Sequence, residues 1–171
     1  MIYMVTKNPD FSHSFEPIIF HDTEILILGS LPGKKSIELN QYYGHPRNRF
    51  WEILSFLTKK EISNNYQIRK QFLKEIKVGL WDVAQSAQRK GSLDSNIKDE
   101  IPNDVINLVQ YYKSIKVIGF NGKKSESMYY KFFQPAPSII YVPLPSSSPA
   151  NMAINFDNIC KKWAKLFTNI H

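Results

Sequence analysis

A chain of 171 residues, 43% hydrophobic and 13% aromatic, can bury one sizeable core but leaves little for a second, so residues 1–171 are expected to form a single domain. It contains no apolar run of roughly 18 residues, no signal-peptide pattern and only one cysteine, Cys160, which argues against a membrane span, secretion, a disulfide scaffold or a cysteine-based zinc cluster. The 22 Lys+Arg against 15 Asp+Glu give a net charge of +7 and a pI near 9.4, a balance that favours a polyanionic partner, nucleic acid first, in an intracellular setting, cytoplasmic or nucleoid-associated.

Residues 23–30, TEILILGS, are a short apolar run closed by turn formers and read as a buried strand. A helix is expected from about Asn48, where Phe50, Ile53, Leu54 and Leu57 recur at helical spacing, and another over 65–76. VGLWDV, 78–83, reads as a second central strand, although its glycine weakens the pattern. Residues 84–103 read as a long loop, of a length that is often functional. A helix follows with Val105, Leu108, Val109 and Tyr112 on one face, then a strand over 115–120 and a helix through Tyr129 to Phe133. The last strand is 138–144, and PSSSPAN introduces a C-terminal helix carrying Phe156, Ile159, Trp163 and Leu166.

Apolar strands alternating with helices imply a mostly parallel sheet covered on both faces. Ligands of such sheets gather outside the carboxyl ends of the strands. GSLPG, WDV, FNG and PLPSSSPAN all leave strands at that end, so they should converge on one cleft.

The chemistry-bearing residues narrow the choices. GSLPGKKS, 29–36, has the composition of an anion-binding turn but the spacing of neither nucleotide-binding glycine motif. His13, His21, His45 and His171 show no metal-ligand spacing, so a metal-free mechanism is expected. Ser146, Ser147 and Ser148 lie outside a nucleophile-elbow pattern and suit phosphate contacts or helix capping. In QYYGHPRNRFW, 41–51, Gly44 and Pro46 bend the chain while Phe50 and Trp51 start a helix. Tyr43 has the flat face and polar edge suited to stacking on an extruded base, or to ordinary packing. Asn48 is suited equally to capping the helix and to facing the cleft.

These pieces resemble the uracil-DNA glycosylase superfamily, and within it the hypoxanthine-DNA (deoxyinosine) glycosylase branch. The matching segments are HSFEPII at 13–19, ILILGSLPGKKS at 25–36, QYYGHPRNRFW, GLWDV at 79–83, RKGSLDSNI at 89–97, GFNGKKS at 119–125 and PLPSSSPAN at 143–151, in order along the chain. GSLPG and GHPRNRFW are also similar to the mismatch-specific uracil/thymine enzymes. The resemblance implies a three-layer α/β/α sandwich around a central four-stranded, mainly parallel sheet. It also implies monofunctional excision of a flipped deaminated base from DNA in base excision repair, with no cofactor. Deoxyinosine would be the main substrate, with activity extending to deoxyuridine, and the protein a monomer.

By position, Gly29, Ser30, Leu31, Pro32 and Gly33 would line the sugar and base, with Tyr43 stacking under the base and Asn121 reading its edge. Leu31 replaces the water-positioning asparagine of the mismatch-specific enzymes and has no hydrogen-bonding group, so that role is moved to Asn48. Asp82 would stabilise positive charge on the sugar or polarise a water, and His45 would donate to the departing purine or hold its turn. Asp94 is a weaker candidate because its loop has no fixed placement. Ser146, Ser147, Ser148, Pro149, Ala150 and Lys123 are grouped as DNA contacts, with Pro149 and Ala150 as the wedge region. The alternatives are a mismatch-specific uracil-DNA glycosylase and an inactive DNA-binding module of the same fold.

Overall fold

The computed structural model describes residues 10–168 and 170; His171 lies outside them. In chain order the elements are β1 (Phe11–His13), β2 (Ile25–Gly29), α1 (Lys34–Leu39), α2 (Phe50–Thr58), α3 (Tyr66–Glu75), β3 (Val78–Asp82), β4 (Ala84–Arg89), β5 (Ile97–Pro102), α4 (Val105–Tyr111), β6 (Val117–Asn121), α5 (Lys123–Phe132), β7 (Ile140–Leu144), α6 (Phe156–Trp163) and α7 (Lys165–Thr168). Short 3-10 turns occupy Asp94–Asn96 and Pro149–Asn151.

Four parallel strands lie in the order β3-β2-β6-β7. The apolar run ILIL explains how two helical layers can be held at once. Ile25 and Ile27 pack with Phe50, Ile53 and Leu54 of α2, Leu73 of α3 and Trp163 of α6. Leu26 and Leu28 pack on the opposite face with Val105 of α4 and Met128 and Tyr129 of α5. A strand buried on both faces needs apolar side chains at consecutive positions, because neighbours point to opposite sides. The product is the three-layer α/β/α sandwich expected from the sequence.

The segment 84–103 differs from the expected long loop. β4 and β5 pair antiparallel, and β1 pairs with the other edge of β4, making a three-stranded sheet in the order β1-β4-β5. Two register shifts, between Ala84 and Ser86 and between Ser86 and Gln88, break the period-two alternation that would have marked β4. β5, IKDEIP, is charged and mostly exposed, so it has little apolar signal to read. Helix α1 is also unanticipated; with only Ser36 buried among its six residues, it carries no apolar face.

Strand register sets the site. Gly29 stands opposite Asp82, while Leu28 opposite Phe120 places Asn121 at the next level, itself opposite Leu144. Adjacent central strands β2 and β6 lead to connections in opposite directions, so Gly29 and Asn121 flank the point where the topology reverses.

Gly79, the residue that weakened the sequence pattern of β3, is required by close packing. A Cβ there would lie 2.8 Å from Ile19 Cδ1 and 2.9 Å from the carbonyl oxygen of Ile18. That carbonyl accepts a hydrogen bond from Leu80 N–H at 2.8 Å, so it cannot retreat cheaply. Gly79→Ala is expected to destabilise the fold by about 1–3 kcal/mol. Urea denaturation should show a lower midpoint with an unchanged slope.

Candidate active site

At the carboxyl ends of the four strands lies a cleft of about 910 Å³. Gly29 to Gly33, Tyr43, His45, Asn48, Asp82, Asn121, Lys123 and Ser146 to Ala150 all line it, so the residues expected to converge do meet. Lys34, Lys35, Lys162 and Lys165 add positive charge around it. Among the described residues, no group of three His, Cys, Asp or Glu side chains could hold a metal ion, and no helix is long and apolar enough to cross a membrane.

Gly29 makes the floor possible. A Cβ there would sit 2.6 Å from Asp82 Oδ1 and 3.3 Å from the Tyr43 hydroxyl. Asp82 is buried, and its Oδ2 has no hydrogen-bond partner. Burial is the main cause that pushes its carboxyl from 3.8 up to about 7; the Arg89 charge works against the shift and Asp94 adds to it. The buried Tyr43 hydroxyl likewise has no hydrogen-bond partner, and burial, followed by the Asp82 charge, raises its pKa well above the ordinary phenol range.

Tyr43 is held in an unusual posture. Its φ of 51° is left-handed, a conformation that costs a non-glycine residue about 1–2 kcal/mol. The surrounding structure fixes it there. Tyr42 N–H donates to the Tyr66 hydroxyl at 3.0 Å, and Gly44 N–H donates to Ser36 Oγ at 3.0 Å. The Tyr43 ring stacks on Phe50 with centroids 3.9 Å apart and planes at 19°, so a core residue backs a ring that lines the cleft.

Asn48 divides its amide between two tasks. Its Oδ1 accepts from Phe50 N–H at 3.0 Å at the start of α2, and the side chain also lines the cleft. His45 Nδ1 accepts from Arg47 N–H at 3.1 Å, which assigns the proton of the neutral ring to Nε2.

Asn121 and Ser147 form a closed pair. Ser147 N–H donates to Asn121 Oδ1 at 2.9 Å, and Asn121 Nδ2 donates to Ser147 Oγ at 2.9 Å. Ser147 is fully buried, so its hydroxyl, expected among the DNA contacts, instead ties the loop after β7 to the end of β6. Ser146 and Ser148 are half-buried; Ser146 Oγ accepts from Ser148 N–H, and Ser148 Oγ accepts from Ala150 N–H, each at 3.2 Å.

Two arginines escaped the sequence reading because nothing distinguishes a buried arginine from a surface one in a basic chain. Arg89, 4% exposed, donates from Nη1 to the Leu31 carbonyl at 3.4 Å and from Nη2 to the Pro32 carbonyl. Arg49, 7% exposed, donates to the carbonyls of Ile154 at 2.7 Å and Asn151 at 2.8 Å, while its own N–H reaches the Ser147 carbonyl at 3.1 Å. Asp94, weak by sequence, is fixed by structure: it accepts from Ser30 Oγ at 2.7 Å and lies 3.7 Å from Arg89 Nη1. Leu31 contributes a buried side chain and a carbonyl to this arrangement, with no polar side-chain group aimed at a substrate.

This chain matches the Uracil DNA glycosylase superfamily over residues 18–167. It is similar to a hypoxanthine DNA glycosylase of Methanosarcina barkeri, with 48% identity over 112 residues, 65% of this chain and 71% of that protein. A hypoxanthine DNA glycosylase of Methanosarcina acetivorans is 36% identical over 154 residues, 90% of this chain and 96% of that protein. The fold is similar to the solution NMR structure of a candidate uracil DNA glycosylase from Methanosarcina acetivorans, with a TM-score of 0.79, 34% identity and coverage of 94% of this chain and 98% of that one. On the strength of these matches and of the fold they share, the chain belongs to the uracil DNA glycosylase superfamily, in its hypoxanthine-DNA glycosylase branch.

Proposed function

We propose that this protein is a monofunctional DNA glycosylase that acts as a monomer, hydrolysing the N-glycosidic bond of deoxyinosine and releasing hypoxanthine. The observation that carries the reading is the meeting of Tyr43, Asp82, Asn48 and the GSLPG loop in one cation-rimmed cleft. The naming of two relatives as hypoxanthine DNA glycosylases directs it toward that base.

A nucleotide turned out of the duplex would stack its base on Tyr43, whose rear face Phe50 supports. As the bond between sugar C1′ and purine nitrogen lengthens, its electron pair leaves with the base and positive charge grows on the sugar. Ionised Asp82, in a site largely closed to water, stabilises that charge more strongly than it would in bulk solvent. Water, oriented by the Asn48 amide, then adds its oxygen to C1′, and the proton it releases passes through solvent to the departed base anion, which leaves as neutral hypoxanthine. The His45 Nε2 proton, left free for donation by the Nδ1 contact with Arg47 N–H, would meet charge on the departing purine. Lys123, Ser146, Ser148, Pro149 and Ala150 supply contacts to the flanking strand.

The direct test offers purified protein duplexes containing inosine, uracil or xanthine. Hypoxanthine should be released fastest, leaving an alkali-labile abasic site. No release of hypoxanthine from the inosine duplex sinks the reading, and faster release of uracil would make that base the main substrate.

Asp82 gives the reaction a pH signature. If its ionised form carries the chemistry, the single-turnover rate should climb as pH rises through about 7, and Asp82→Asn should be slow with that rise abolished. Stability should move the other way. The folded carboxyl is raised above its unfolded value of 3.8, so its favourable contribution is complete below 3.8 and is lost as pH rises through about 7. Asp82→Asn should therefore raise the urea midpoint more at about pH 8 than at about pH 5.

Asn48→Asp keeps the Oδ1 acceptor for Phe50 N–H but removes the amide donors. It should fold like the wild type while slowing base release by about 10²-fold, the scale of losing one oriented polar group. A rate within about twofold of wild type would remove Asn48 from the chemistry.

A further inference from the structure

Leu93 lines the cleft and is 54% exposed, so its apolar side chain stands half in water at the mouth of the site. The backbone around it is firmly tied. On one side, Ser92 Oγ accepts from Lys34 N–H at 3.0 Å. On the other, Asp94 accepts from Ser30 Oγ at 2.7 Å and pairs with Arg89 at 3.7 Å. The Leu93 carbonyl itself accepts from Asn96 N–H at 3.1 Å. Both neighbours are thus fastened to the GSLPG–Lys34 segment, while the apolar side chain between them remains in water. The apolar surface that Leu93 leaves in water is surface a bound partner can bury with a gain in affinity.

The rim also says what that partner is. Lys34, Lys35 and Lys123 line the same cleft, so a polyanion is drawn to it. Duplex DNA offers an apolar surface at such a site chiefly where neighbouring bases come apart, and leucine is among the side chains that proteins insert there. Across the cleft, Ala150 carries only a methyl group and Pro149 is held in a 3-10 turn, so the loop after β7 provides little apolar reach.

We propose that Leu93 is a wedge residue that enters the base stack at the position vacated by the flipped nucleotide. The assignment rests on the glycosylase reading above, and it separates opening of the duplex from the chemistry in the cleft. Because the residue acts on pairing and stacking, its loss should be felt most where those must be broken.

The test compares single-turnover release of hypoxanthine from a fully paired inosine·cytosine duplex and from an inosine-containing single strand. Leu93→Ala should slow the duplex reaction about tenfold or more relative to the single strand, since only the duplex must be unstacked before the base can leave it. Leu93→Met, which keeps an apolar chain of similar reach, should restore most of that ratio. Equal losses on the two substrates would overturn the proposal, since Leu93 would then be touching the bound nucleotide itself. So would an unchanged ratio, or a larger duplex-selective defect in Met152→Ala, at the 56% exposed methionine that follows the β7 loop.

A second measurement needs no catalysis. Wild-type protein should brighten 2-aminopurine placed beside a stable abasic analogue in a duplex, and Leu93→Ala should do so several-fold less at saturating protein. Equal brightening at saturation would overturn the wedge assignment. Failure of the wild type to release hypoxanthine from either substrate would instead refute the glycosylase reading, leaving the fluorescence comparison to decide Leu93.

Discussion

The crowding of the Asp82 carboxyl and the Tyr43 hydroxyl against the bare backbone of Gly29 is the constraint on which the site depends. Parallel pairing of β2 with β3 fixes Asp82 opposite Gly29, and the missing Cβ leaves room for both the carboxylate and the phenol hydroxyl beside the strand end. Any side chain at that position would separate them from the strand end. The same crowding removes water from Asp82 and leaves one of its oxygens without a partner. Local geometry and electrostatics therefore have one origin, a strand that ends in glycine at the centre of the sheet.

Around that floor the protein uses buried cations as internal fasteners. Arg89 gathers the Leu31 and Pro32 carbonyls, and Arg49 gathers those of Asn151 and Ile154. Each anchors one of the two segments that face each other across the cleft. The Asn121–Ser147 pair joins the second segment to the sheet. Such cross-ties reduce the rearrangement needed when a ligand arrives, which is the physical content of a preorganised site. They also explain why some side chains expected to touch DNA point inward: the loop they belong to must first be given a shape.

The sequence was most informative where burial imposes a pattern. ILIL of β2 announces a strand covered on both faces, and Phe50, Ile53 and Leu54 announce α2, because each pattern is a direct imprint of what the side chains pack against. The convergence of GSLPG, WDV, FNG and PSSSPAN was legible from parallel topology alone. β4 and β5 were hidden by bulges and by surface charge. Ser147, Asn121, Arg49 and Arg89 were ambiguous for a different reason. Their residue types fit both an external contact and an internal tie, and only three-dimensional placement selects the tie. Tyr43 lies between these cases: its aromatic character was evident, whereas its left-handed backbone and the Phe50 ring behind it were not.

The antiparallel β4–β5 hairpin carries the rim loop on a framework distinct from the sandwich that carries the floor. Its tip reaches back to the sandwich through Ser92 and Asp94, while its own pairing is confined to β1, β4 and β5. Changes of length or composition at the hairpin tip can thus alter what the protein meets first on a nucleic acid without rebuilding the parallel core. Division of labour of this kind lets the exposed surface of the rim change between the Ser92 and Asp94 ties while the floor at the strand ends keeps its geometry.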